Sequence, residues 1–193
     1  MTTGGGEVGA TMDEQRLVKI SKYLSKHLRH RPDRLGITLA PGGWVGIDEL
    51  LTACRLTGFA LTRGELAEVV ERNDKRRFGL DPSGTRIRAN QGHSVEVDLQ
   101  LVPSAPPEVL YHGTASTTVT TILEHGLRPM GRHHVHLSAD IVTAANVGAR
   151  HGSPAVLQVA AGRMHAAGTV FVRSANGVWL VDHVPARDLE VMV

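Results

Sequence analysis

The chain of 193 residues has a single cysteine, few aromatic residues and almost no net charge. Because Cys54 has no second cysteine to pair with, an intramolecular disulfide is excluded, and this fits a reducing compartment. No apolar run approaches the length of a membrane span, and the N-terminus lacks the basic start and apolar core of a secretory signal. We therefore expect a cytoplasmic protein without a membrane segment.

Aromatic residues make up only 4% of the chain. Trp44, Phe78 and Trp179 are assigned to packing, because such side chains occur in cores more often than as base-stacking platforms. The sequence contains neither an internal repeat nor a glycine-rich Rossmann fingerprint.

The small net charge of +2 conceals an uneven distribution. Between Arg16 and Arg34 lie seven basic residues and one acid, Asp33. Such a basic stripe on a nearly neutral protein indicates an anionic partner, with nucleic acid the leading candidate. A solvated helix face explains the charges equally well, so this pattern leaves both readings open.

Helical patterns dominate the first half of the chain. Residues 1–10 include four glycines and little to bury, which predicts a disordered tail. Beyond it, residues 11–101 predict three helices closed by a β-hairpin, the pattern of a winged helix. Capping boxes at Thr11 to Glu14 and Thr62 to Glu65 mark the start of the first and third helices.

Residues 102–108 contain three prolines within five positions and predict a stiff linker. In 109–193 the pattern changes to six short strands interrupted by two helices, at about 116–125 and 139–150. The strands are spaced too irregularly for a βαβ repeat. We therefore expect an α+β fold whose second lobe holds a mostly antiparallel sheet or sandwich.

Basic groups from separate segments suggest a phosphate site. Arg29 and His30 end the first helix, Arg77 precedes the hairpin, and Arg132 opens a strand of the second lobe. The planar fork of arginine matches phosphate oxygens two at a time. Each of these residues, taken singly, is more often part of a surface ion pair.

Two strands of the second lobe carry histidines. His112 precedes Gly113 and Thr114, a sequence suited to a polar, phosphorylated cofactor because glycine permits close backbone approach. His136 and Ser138 lie two apart and share a face with His134, while His133 points away. A zinc site at these histidines is the alternative, but no neighbouring cysteine or acidic spacing completes one, and no metal is expected.

Several segments, in order along residues 13–191, resemble the RNA 2′-phosphotransferase family (tRNA 2′-phosphotransferase). Those similar to its RNA lobe are residues 24–30, 43–45, 73–78 and 89–94. Those similar to its ADP-ribosyltransferase lobe are residues 112–114, 126–129, 134–138 and 174–180. One such segment would be weak, but the ordered set is specific.

The resemblance implies an NAD-dependent enzyme that removes an internal 2′-phosphate from RNA, as at a tRNA splice junction. The phosphate attacks the nicotinamide ribose of NAD, and nicotinamide leaves. The ribose 2″-hydroxyl then attacks the phosphorus of the RNA-2′-phospho-ADP-ribose intermediate. The products are RNA with a free 2′-hydroxyl, ADP-ribose 1″,2″-cyclic phosphate and nicotinamide.

The resemblance also implies roles for individual residues. A catalytic tetrad maps onto Arg29, His30, Arg77 and Arg132. The residues expected to bind NAD are His112, Gly113, Thr114, His136, Ser138 and Val178. The residues expected to bind RNA are Lys26, Asn73, Lys75, His93 and Ser94. Val178 stands where many ADP-ribosyltransferases carry a glutamate, and an apolar residue is tolerable there because a phosphate nucleophile brings its own charge.

Two other functions stay open. One is an ADP-ribosyltransferase that modifies terminal phosphates of nucleic acids, against which the intact tetrad argues. The other is a non-enzymatic winged-helix regulator with a ligand-sensing lobe. Its third helix would present Glu65, Glu68 and Glu71, which repel a phosphate backbone. We expect a monomer.

Overall fold

The computed structural model describes residues 12–72 and 75–192. The predicted disordered tail 1–10 and the predicted RNA contact Asn73 lie outside these residues. Within them, no helix is long and apolar enough to cross a membrane.

The N-terminal part combines three helices with a small antiparallel sheet. The helices are α1 (Glu14–His30), α2 (Ile47–Leu56) and α3 (Arg63–Glu71). The strands are β1 (Trp44–Gly46), β2 (Phe78–Leu80) and β3 (Arg86–Ala89), arranged in the order β1-β3-β2. The three helices and the β2–β3 hairpin were predicted, whereas β1, only three residues long, was not.

The ends of the helices follow from their local sequence. At the start of α1, the side chain of Asp13 accepts from the backbone N–H of Arg16, so Asp13 is the N-cap. The predicted capping box placed the cap two residues earlier, at Thr11, which lies outside the described residues. At α3 the predicted capping box is confirmed, since Thr62 and Glu65 satisfy each other's backbone N–H groups. Pro32 follows α1 and prevents its continuation.

The C-terminal part contains two three-stranded sheets with strand orders β4-β6-β9 and β5-β8-β7. The strands are β4 (Leu110–Ala115), β5 (Val135–Leu137), β6 (Pro154–Val159), β7 (Val172–Arg173), β8 (Trp179–Val181) and β9 (Leu189–Val191). The helices are α4 (Val119–His125), α5 (Ile141–Gly148) and α6 (Ala161–Ala166). Every strand pairing in the described residues is antiparallel, which confirms the α+β expectation. The short helix α6 was not predicted.

The buried apolar side chains form two clusters. One runs from Leu17 to Ala89, with Ile20, Leu24 and Leu28 of α1 at its centre. The other runs from Leu110 to Val184 and lies against both sheets of the C-terminal part. Between them, residues 102–108 form no regular element, although the backbone N–H of Ser104 donates to the carbonyl of Phe171.

Candidate active site

Arg29 lies in the last turn of α1 with a guanidinium that its surroundings leave unsatisfied. Its Nε and Nη2 atoms are buried and have no hydrogen-bond partner among the described residues. Burial, reinforced by the charges of Arg77 and Arg132, lowers the pKa of Arg29 to about 10, so the group is still a cation at neutral pH. A buried cation without a counter-charge is unfavourable by itself and favours an anionic ligand.

The other three members of the predicted tetrad surround Arg29. Arg77 approaches from the residue before β2, and its Nη1 lies 3.4 Å from Ser21 Oγ. Arg132 is exposed, and its charge lowers the pKa of His30 together with burial and the charge of Arg29. The structure therefore brings all four groups to one place, although they come from both parts of the chain.

His30 is held by a segment that follows β3. Its Nδ1 lies 2.8 Å from the hydroxyl of Ser94, and the backbone N–H of Ser94 donates to the carbonyl of Arg29. With its pKa lowered from 6.5, His30 is neutral at pH 7. Its Nε2 can donate a hydrogen bond to an anion when Nδ1 accepts from the serine hydroxyl.

His112 and His136 are connected through the backbone of two neighbouring strands. Nδ1 of His112 lies 3.0 Å from the carbonyl oxygen of His136, and Nδ1 of His136 lies 3.0 Å from that of His134. A carbonyl oxygen only accepts, so each Nδ1 carries the proton. Burial lowers the pKa of both rings, that of His136 to about 3. Both rings are therefore neutral, and each keeps Nε2 as an acceptor.

The strands that carry these histidines are joined at Ser138. Its backbone exchanges two hydrogen bonds with Tyr111, of 2.8 and 2.9 Å, which set β5 beside β4. The predicted cofactor residue Thr114 uses its hydroxyl to contact Thr118 at 2.7 Å.

Gly113 has a different reason for being glycine than the one expected from the sequence. A Cβ at this position would lie 1.7 Å from the carbonyl oxygen of Ala144, in the backbone of α5. The missing side chain therefore allows β4 to pack directly on α5. Any contact of Gly113 with a cofactor would have to come from its backbone.

Val178 lies in the turn between β7 and β8. The backbone N–H and the hydroxyl of Ser174 both lie within donating distance of the Val178 carbonyl, at 2.9 and 3.0 Å. The backbone N–H of Val178 donates to the Ser174 hydroxyl at 3.1 Å. In the same turn, the side chain of Asn176 donates to the carbonyl of Lys75 at 3.1 Å. This contact joins the turn of Val178 to the segment preceding Arg77.

A groove of about 400 Å³ runs along α1 and ends at the arginines. Its polar lining includes Ser21, Lys22, Ser25, Arg29, Lys75 and Arg77. Of the predicted RNA contacts, Lys75 lines this groove, whereas Lys26 is exposed elsewhere on α1. Ser21 and Ser25 were missed by the sequence reasoning, although their spacing of four from one another and from Arg29 places all three on one helix face.

A separate cavity of about 270 Å³, the histidine cavity, is lined by His93, His133, His134 and His136 together with residues of β7, β8 and 97–101. His93 is 2% exposed, and neither of its ring nitrogens has a partner among the described residues. It was predicted to contact RNA, but it faces this cavity and not the groove along α1. In the described residues, no group of three or more His, Cys, Asp or Glu side chains has the arrangement of a metal site.

Two other contributors were not predicted. Arg150, just after α5, is close enough to Arg77 for its charge to lower the pKa of that group. The Oε1 atom of Gln91 lies 2.9 Å from Nε2 of His136. Gln91 lies within the family-like segment 89–94 but was given no role, whereas Arg150 lies outside the family-like segments; each becomes relevant only when distant segments meet.

Comparison with known proteins identifies the family. The family model described as RNA 2′-phosphotransferase, Tpt1 / KptA family, matches residues 15–183. A protein of Nostoc punctiforme named "Probable RNA 2'-phosphotransferase" is 62% identical over 179 residues, which cover 93% of this chain and 99% of the relative. A protein of the same name from Herpetosiphon aurantiacus is 60% identical over 88% of this chain and 93% of its own length. Another, from Pseudomonas aeruginosa, is 51% identical over 91% of this chain and 97% of its own length. The chain therefore belongs to the RNA 2′-phosphotransferase family, Tpt1 / KptA.

Proposed function

We propose that the protein removes an internal 2′-phosphate from RNA by transferring it to NAD. Family membership and the names of the relatives support RNA 2′-phosphotransferase activity. The single observation that carries the proposal is the guanidinium of Arg29 beside Arg77 and Arg132, whose buried Nε and Nη2 have no partner in the described part of the chain. Such a group fits a phosphate that brings two negative charges into the site.

NAD is proposed as the second substrate, and the chemistry of the histidine pair supports it. His112 and His136 are neutral rings with Nε2 as acceptor, suited to ribose hydroxyls and compatible with a cationic nicotinamide. When bound, NAD supplies an electrophilic ribose carbon and a good leaving group. The task of the chain's own residues is to orient this carbon toward the phosphate held at Arg29.

The first step requires no general base, since the RNA phosphate is an anion at neutral pH. This is consistent with Val178, which offers no titratable group. Arg29 and Arg77 would hold the phosphate oxygens while the strand of His112 holds NAD. Proximity and orientation then replace much of the entropic part of the barrier.

In the second step, negative charge increases on the phosphoryl oxygens as the RNA 2′-oxygen departs. Arg29, Arg77 and Arg132 would stabilise that charge, as arginine clamps do in phosphoryl transfer. With its Nδ1 accepting from Ser94, the Nε2–H of neutral His30 would donate a hydrogen bond to the phosphate. Giving a proton to the departing oxygen requires the protonated ring, which the charge of a bound phosphate favours.

We further propose that the N-terminal part is a winged-helix-like RNA lobe and that residues 109–193 form an ADP-ribosyltransferase-like lobe. Support comes from the order of α2, α3 and the β2–β3 hairpin, and from the separate apolar cluster of each part. The described turns and helix ends that meet between them are those carrying Arg29, Arg77 and Arg132.

A direct test is to incubate the protein with an RNA that bears one internal 2′-phosphate, with and without NAD. We expect loss of the phosphate and appearance of ADP-ribose cyclic phosphate only when NAD is present. Phosphate loss without NAD would indicate a phosphatase, and no loss at all would reject the proposal. A matched RNA with only a terminal phosphate tests the alternative activity, in which a stable ADP-ribosylated end accumulates.

A further inference from the structure

Gln91, in the N-terminal part, contacts a histidine of β5 directly. Its Oε1 lies 2.9 Å from Nε2 of His136, 45 residues further along the chain, and the Oε1 and NH₂ positions of an amide exchange by a half-turn. We propose that Gln91 is a positioning residue, which holds His136 as a neutral ring with Nε2 accepting and so couples the NAD pocket to the phosphate site. The proposal rests on the function proposed above.

The direction of this hydrogen bond follows from the other side of the ring. The carbonyl of His134 accepts from Nδ1 of His136 at 3.0 Å, so a neutral ring has no proton left on Nε2. The Gln91 amide must therefore donate through its NH₂ group, which a half-turn of the amide brings to the ring without a change of shape. Gln91 thus supports one protonation state and one tautomer.

The surroundings of His136 exclude the doubly protonated ring. Burial and the charges of Arg132, His134 and Arg29 lower its pKa to about 3, although the hydrogen bond from Nδ1 to the carbonyl of His134 acts in the opposite direction. The adjoining cavity is also lined by the titratable side chains of His93, His133 and Asp98, and His112 donates to the His136 backbone. An imidazolium here would face two arginines and, in the proposed complex, the positive nicotinamide.

The position of Gln91 in the chain gives the contact its significance. Three residues later, Ser94 holds His30 through its hydroxyl and the end of α1 through its backbone. One short segment therefore contacts a histidine at the phosphate site and a histidine at the predicted NAD pocket. Closing the distance between phosphate and ribose carbon depends on these two histidines keeping a fixed relation.

Gln91→Leu removes the donor and keeps most of the side-chain volume. We expect KM for NAD to rise, or the rate of nicotinamide release to fall, by about tenfold, the usual effect of losing one buried hydrogen bond. Affinity for RNA, the melting temperature and the conversion of pre-formed ADP-ribosylated RNA should stay within about twofold or a few degrees of wild type. Gln158→Leu is the matched control, since Gln158 is also half-buried but lies on β6.

A second variant tests the protonation state without any enzyme assay. In Gln91→Glu the carboxylate can only accept, so it favours a proton on Nε2 of His136 and raises the titration midpoint of that ring by about one pH unit or more. The midpoint is read from the ring resonances of His136 by NMR in the full chain. If the wild-type protein showed no phosphotransferase activity, this measurement would still decide whether Gln91 controls His136.

Two results would overturn the proposal. One is a His136 titration that is the same in wild type and Gln91→Glu. The other is a Gln91→Leu protein whose RNA affinity, NAD kinetics and stability fall together, or fall as much in Gln158→Leu, because a merely structural contact behaves in that way.

Discussion

The two parts of the chain prepare their sides of the site by opposite means. At the end of α1, the N-terminal part places Arg29, whose guanidinium has two buried nitrogens without a hydrogen-bond partner among the described residues. On β4 and β5, the C-terminal part presents His112 and His136, which are neutral and held through the protein backbone. One side attracts a ligand by charge, and the other orients one by shape and fixed hydrogen bonds.

This difference indicates which contribution each side makes. An unneutralised cation raises the energy of the empty site and is relieved when an anion arrives, so it favours binding and charge development. A neutral ring fixed by hydrogen bonds changes little when a ligand arrives, so it favours a defined orientation. Substitutions on the two sides should therefore have different signatures.

The largest effect is expected from Arg29→Ala. Removing a guanidinium that we propose stabilises charge in phosphoryl transfer should slow the second step by about 10²- to 10³-fold, and ADP-ribosylated RNA should accumulate. The measurement is a single-turnover time course that separates this species from the final 2′-hydroxyl RNA. Arg55→Ala, an exposed arginine on α2, serves as the control.

Arg29→Ala also tests the contrast between the two parts. If the first and second steps slowed equally, Arg29 would be a simple RNA-binding group, and charge on this side would not act selectively on phosphoryl transfer. His30→Ala should follow the same pattern with a smaller change, since a neutral ring stabilises less charge than a guanidinium.

Gly113→Ala should show the opposite signature, a loss of stability. The added methyl group would meet the carbonyl of Ala144 in α5, a backbone atom that cannot turn aside. Overpacking of this kind lowers the free energy of unfolding by about 1 to 3 kcal/mol or more. Denaturant unfolding measures it, and Gly131→Ala is the control because a Cβ there meets nothing within 4 Å. Unchanged stability would mean that β4 is not fixed by its packing on α5.

The sequence predicted much of the fold because its local signals were strong. The apolar spacing of α1, the capping box at Thr62 and the alternating strands of the C-terminal part are all short-range patterns, and the structure contains the corresponding elements. The errors were also local. The N-cap of α1 is Asp13, two residues after the predicted position, and β1 and α6 are too short to show a period.

The site was predicted less completely, because its organisation is long-range. Arg29, His30, Arg77 and Arg132 were selected through resemblance, and nothing in their spacing states that they meet. Gln91 lies in the family-like segment 89–94 but its role, like that of Arg150, is recognised only from the groups it approaches. Gly113 is a similar case. A glycine is required there because the backbone of α5 at Ala144, 31 residues away in sequence, leaves no room for a Cβ, and not because the local chain turns.

The smallest effect concerns His93, a buried neutral ring that lies between the two sides. Burial, together with the charges of Arg29, His133, His30 and Arg88, lowers its pKa from 6.5 to about 4. Between pH 6.5 and pH 4, His93 is therefore protonated in the unfolded chain but neutral in the folded chain. The free energy of unfolding consequently falls as pH drops through this range.

His93→Leu should remove this part of the pH dependence. We expect wild type to lose about 1 to 2 kcal/mol more than the variant between pH 7 and pH 5, as measured by denaturant unfolding at each pH. At pH 7 the variant should be close to wild type in stability, because the ring nitrogens of His93 have no partner to lose among the described residues. Parallel stability curves for the two proteins would show that His93 titrates normally, as an accessible RNA contact would. In that case His93 would not belong with the neutral histidines of β4 and β5, and the charge of Arg29 would not lower the pKa of the His93 ring.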